Sequence, residues 1–121
     1  VAEQLVKLMK NLNELDEAAV VKFVDGGKFD EVAAALALLN DIPTPLIARV
    51  IEGPRADLIL IPCKAVNFDW TTVETVLRKR PIKVAIDEKT LWQAHRDYGR
   101  LTPETAQRTV RFWQLHNRVE K

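Results

Sequence analysis

Serine is missing from this chain altogether, which excludes a serine nucleophile and every triad built on one. Cysteine is almost missing. The single Cys63 has no partner for an internal disulfide, and no Cys/His cluster has the spacing of a zinc site. Glycine occurs four times, and none of Gly26, Gly27, Gly53 and Gly99 belongs to a phosphate-cradling loop. Long hydrophobic runs are lacking too: the apolar stretches at 32–39 and 58–66 fall far short of the roughly 20 residues a membrane-spanning helix requires. These absences point to a reduced, cytoplasmic protein with no cofactor, no metal and no membrane partner. No charged, then apolar, then small-residue leader opens the chain, and it begins at Val1 rather than at a methionine, so we read it as a piece of a longer protein.

What is present suits one globular unit. The 121 residues are 47% hydrophobic, enough to bury a core without disulfides, and are expected to form a single helical-repeat domain over 1–121. Net charge is +1 but unevenly placed: residues 1–63 hold six Lys/Arg against ten Asp/Glu, and residues 64–121 hold twelve against seven. The chain is electrostatically dipolar.

Four windows, beginning at Leu15, Ile42, Phe68 and Leu101, align with one another. At four, five, eight and nine residues beyond each start stand Ala19, Val20, Phe23 and Val24; Leu46, Ile47, Val50 and Ile51; Thr72, Val73, Val76 and Leu77; and Thr105, Ala106, Thr109 and Val110. That is an apolar stripe at helical spacing, repeated with room for one more helix between successive windows. Asp16, Asp69 and Thr102 stand where a side-chain oxygen can cap a helix start, and Pro43, Pro45 and Pro103 suit a first turn. The intervening helices fall at 2–12, 29–40, 54–66 and about 87–98. The second is apolar all round and belongs in the middle of the assembly. The four glycines fall at helix boundaries, where positive φ is tolerated.

The pattern predicts an all-α fold: a right-handed stack of about four short helix pairs, an α-solenoid of the HEAT/armadillo kind. Val20, Ile47, Val73 and Ala106 should all be buried at the same place in their repeats. Pro62 should kink the third intervening helix or end it near Ile61. Ile82, Val84 and Ile86 alternate as a strand would but have no second strand to pair with, so 82–86 is read as an extended connector.

No catalytic constellation emerges, and the chain is read as a non-enzyme. Cys63 lies in an apolar run that looks like a packed helix face. His95-Arg96-Asp97 resembles the start of a kinase catalytic loop, but the downstream asparagine, the Gly-rich loop and Asp-Phe-Gly are missing. His95, sharing a face with Leu91 and Tyr98, is read as a part-buried packing residue, and His116 as a cation near a helix C-terminus. Asp25, Asp30 and Glu31 flank a Gly-Gly turn without the ligand pattern of a calcium loop.

Two binding readings remain. Arg108, Arg111, Phe112 and Trp113 on the last helix present arginine and aromatic anchors with no later helix to cover them, with Trp113 foremost in a contact with a protein partner, the remainder of the parent chain or a second copy in a homodimer. The expected function is therefore a scaffold or regulatory protein-interaction module. The alternative is a nucleic-acid-binding helical repeat using Arg78, Lys79, Arg80 and Lys83, with Arg96, Arg100, Arg108, Arg111 and Arg118 beyond them. An isoelectric point of about 8.1 is low for a dedicated nucleic-acid binder.

The run Tyr98-Gly99-Arg100-Leu101-Thr102-Pro103-Glu104-Thr105-Ala106-Gln107-Arg108-Thr109-Val110-Arg111-Phe112-Trp113 resembles the closing signature of a bacterial family, domain of unknown function 2336. Ala34-Ala35-Leu36-Ala37-Leu38-Leu39-Asn40-Asp41-Ile42-Pro43 and Cys63-Lys64-Ala65 are similar as well. The likeness covers about 29–113. It implies a helical-repeat module in bacterial proteins longer than this chain, and it carries over no catalytic residue.

Overall fold

The computed structural model describes residues 1–119, with side chains as far as His116. The expectation placed on Arg118 falls outside the described side chains. Among the described residues there are eight helices and no strand: α1 (Ala2–Asn11), α2 (Glu17–Asp25), α3 (Phe29–Asn40), α4 (Thr44–Glu52), α5 (Ala56–Ala65), α6 (Trp70–Lys79), α7 (Glu88–Arg100) and α8 (Pro103–Val119). Each of the four windows is a helix, and so is each segment between them. The connector at 82–86 has no regular structure.

Helix starts follow from local chemistry. Asp16 accepts the Ala19 N–H at 2.9 Å, and Thr102 Oγ1 accepts the Thr105 N–H at 3.1 Å. Pro43 precedes α4 and Pro45 lies in its first turn, while Pro103 opens α8. Asp69 departs from expectation, because its side chain makes no cap bond. The Glu17 carboxylate arrives instead from the start of α2 and accepts both the Asp69 N–H and the Thr72 hydroxyl.

Helix ends hold a correction. Of the four glycines only Gly27 adopts positive φ (69°); Asn13, Asp41 and Asn67 take the left-handed position after α1, α3 and α5. At all four places the left-handed residue donates to the carbonyl three back, and the next N–H reaches the carbonyl five back: Glu14 to Met9, Lys28 to Phe23, Ile42 to Ala37, Phe68 to Cys63. These are Schellman ends, which satisfy the carbonyls a helix leaves orphaned. Ile42 and Phe68, each just past such an end, are buried.

Packing centres on two helices. The central α3 lies against α1, α2, α4 and α5, and its run from Val32 to Ala37 is buried without a break. The other hub, α5, lies against α3, α4, α6, α7 and α8. Pro62 does not end α5, which continues to Ala65; Pro62 and Cys63 are both buried in that last stretch, and packing overrides the lost backbone bond. Val20, Ile47, Val73 and Ala106 are completely buried, so one column of the repeat forms the spine of a single apolar core. The contact of α2 on α6 joins helix pairs that are not successive in the repeat order.

Candidate functional site: the outward face of α8

The last helix docks by its inner face and leaves its outer face open. Ala106 and Val110 are buried, and Trp113 is partly buried against the core. Polar bonds add to this seat. Gln107 Nε2 donates to the Ala65 carbonyl at 3.0 Å, and Gln114 Nε2 donates to the Asn40 carbonyl at 2.9 Å. The two glutamines, seven residues apart, share one face of α8 and reach carbonyls at the C-terminal ends of α5 and α3. Asn40 is itself buried, its Nδ2 donating to the carbonyls of Leu36 (2.9 Å) and Pro62 (3.2 Å).

On the opposite side Arg108, Arg111, Phe112 and Leu115 lie three, four and seven residues apart, the spacing of a single helix face. Phe112 is 64% exposed and Leu115 59% exposed, and both arginines are exposed. The Phe112 ring stacks on His116, with centroids 5.9 Å apart. The structure thus brings three of the four expected anchors together and turns the fourth, Trp113, to the packed side. Leu115, at the same helical spacing and exposed, joins them.

Three cations of the cluster between α6 and α7, Arg78, Lys79 and Arg80, are engaged internally, while Lys83 is exposed. Arg78 pairs with Glu74 and Glu88, and Lys79 with Asp25. Arg80 is buried and donates to the carbonyls of Ile51 and Gly53. Its neighbours on α7 differ from expectation as well. Leu91 and Tyr98 are buried, but His95 is exposed and lies flat on Trp70, with centroids 4.6 Å apart and planes 3° apart. Trp92 is 58% exposed beneath the Arg96 guanidinium. Lys64 sits 3.9 Å over the Tyr98 ring, whose hydroxyl donates to the Phe68 carbonyl, and burial raises the Tyr98 pKa.

Cys63 is buried completely, and burial pushes its thiol up to about 12, so no thiolate nucleophile forms there at neutral pH. Among the described residues no three His, Cys, Asp or Glu gather as metal ligands, and no helix is long and apolar enough to cross a membrane.

The profile of uncharacterised proteins conserved in bacteria, domain of unknown function 2336, matches residues 1–111. The chain belongs to this family. The family match runs from the first residue through Arg111 and so takes in the helix starts, the buried spine and the first half of α8. No curated protein matches the chain, and no solved structure does.

Proposed function

We propose that this domain is a non-catalytic protein-recognition module and that the outward face of α8 is its recognition surface. The observation that carries the reading is the exposed Phe112–Leu115 strip flanked by Arg108 and Arg111, on a helix whose opposite face is seated on the core. Aromatic and arginine side chains dominate the energetic centres of protein interfaces. Neither arginine has an acidic partner among the described residues, so the surface suits a partner with an apolar groove and an acidic rim.

The helix pairs carry the period of HEAT and armadillo arrays, and we read the domain as a stack of that kind drawn in on itself. In an open solenoid each repeat touches only its neighbours. Here α2 on α6 links the first helix pair to the third, which favours an end face over a concave groove as the place of contact. The nucleic-acid reading loses its densest cations to Glu74, Glu88, Asp25 and the buried seat of Arg80.

The test is a photo-crosslinking residue at position 112 in the native host, with an equivalent residue at exposed Thr71 as control. A partner captured from 112 alone, and lost when Arg108→Glu and Arg111→Glu are introduced, supports the surface. Identical capture from both positions refutes it. Capture of nucleic acid, with affinity falling steeply between low and physiological salt, would favour the rival reading.

A further inference from the structure

A cavity of about 550 Å³ opens where the connector after α6 crosses the corner between α4 and α5. Its walls are mostly apolar, with Pro54 and Ala56 on one side and Ile82, Val84 and Ile86 on the other. Arg80 also lines it. At 6% exposure, this is the one buried charged side chain among the described residues.

The setting of that guanidinium is electrically incomplete. Nη1 donates to the carbonyls of Ile51 at 3.1 Å and Gly53 at 2.8 Å, which close the C-terminus of α4. The partial negative charge of a helix end offsets part of the cation. Among the described residues no carboxylate pairs with it, and its buried Nε has no hydrogen-bond partner. Buried charges are ordinarily paired, and an unbonded buried donor marks a place where an acceptor is missing. Burial lowers the Arg80 pKa, but a guanidinium has so high a starting value that it stays cationic at neutral pH.

We propose that this cavity binds a small aliphatic carboxylate, its anionic head at the Arg80 guanidinium and its hydrocarbon body between Pro54, Ala56 and the connector. A cavity of this size with apolar walls and few convergent polar groups has the form of a small-ligand site. The planar donor fork of arginine matches a carboxylate. The other charged groups at the walls are Glu52, Lys83 and Asp87. Two acidic groups against one further cation disfavour a doubly charged head, which selects carboxylate over phosphate. The site shares no residue with the α8 face and stands or falls separately from it.

The experiment is a titration of the isotopically labelled domain, followed by the backbone amide resonances of residues 81–87. The probes are 4-methylpentanoate and acetyl-Ala-Leu with its free carboxylate, each against its neutral amide. The expected result is saturable, low-millimolar or tighter binding of the acids, with each amide about tenfold weaker or more. The tighter of the two acids tells whether a free acid or a peptide end is the natural source. Arg80→Met should abolish the preference for acid over amide. Because that change also uncaps α4, Val84→Glu serves as a second variant: Val84 is 77% exposed, so the fold tolerates it, and the new carboxylate on the wall should weaken the acids at least tenfold. Equal binding of acids and amides, absence of saturable shifts, or undiminished acid binding by Val84→Glu would each overturn the proposal.

Discussion

Helices α3 and α8 both lie against the hub α5, yet they hold their places by different means. The first is buried on every side and built of small and medium apolar residues, so shape and volume fix it. The second has a narrow inner seam of Ala106, Val110 and Trp113, and two glutamines bonded to the ends of other helices. A helix fixed by volume has no surface left to offer. One fixed by a seam and a few hydrogen bonds keeps half its circumference for something else, and Arg108, Arg111, Phe112 and Leu115 occupy that half.

The largest expected effect tests the volume-fixed side. Leu36→Ala in α3 and Ile47→Ala in the spine should each cost about 2 to 5 kcal/mol in urea denaturation, because both side chains are essentially inaccessible and their removal leaves cavities. If either variant unfolds with the parent, the repeat register or the central place of α3 is wrong. Base should act in the same direction through α5. Unfolded cysteine ionises from about pH 8.5, whereas the folded Cys63 thiol holds its proton up to about pH 12. The folded state therefore keeps a proton that the unfolded state releases, so this contribution is intact below about pH 8.5 and is lost as pH climbs toward 12. Tyr98, raised by burial, has the same sign. A denaturation midpoint that stays flat from pH 8 to 11 in the parent would contradict the burial of both.

Next comes the polar joint between the two helices. Asn40→Ala removes the donor to the buried Pro62 carbonyl and should cost about 1 to 3 kcal/mol. Gln107→Ala and Gln114→Ala each remove one neutral bond at a part-buried site, worth about 0.5 to 1.5 kcal/mol apiece. Were the double glutamine variant to lose as much as Leu36→Ala, the contrast between the helices would collapse.

Much of this fold was legible in the sequence because periodicity reports burial directly. The column holding Val20, Ile47, Val73 and Ala106 could be read without coordinates, and so could the all-round apolar α3, since both are properties of residues along one helix. What escaped depends on partners far away in the chain. Gln107 and Gln114 carry no local sign that they will meet Ala65 and Asn40. Arg80 sits in a basic triplet and reads as a solvated cation until the end of α4 is seen to fold over it. The left-handed Asn13, Asp41 and Asn67 did carry a signal, an Asn or Asp just past an apolar helical run, but glycine drew attention from it. Trp113 was assigned outward because no later helix covers α8, yet it lies about 100° round the helix from Phe112 and packs partly against the core.

That last distinction sets the smallest stability effect and the sharpest test of the α8 face. Phe112→Glu replaces an exposed ring and should alter stability by no more than about 0.5 kcal/mol, the usual span for surface substitutions. Trp113→Glu presses a charge against the core and should destabilise clearly more than Phe112→Glu. Binding should follow the opposite order: with the crosslinking residue moved to exposed position 115, Phe112→Glu abolishes capture of the partner, while any loss in Trp113→Glu tracks the fraction unfolded and recovers on cooling. Denaturation curves and capture yields for the two variants, taken side by side, separate the roles. If Phe112→Glu binds normally while Trp113→Glu fails to bind even when fully folded, recognition runs through the packed edge of α8, and the outward face loses its claim.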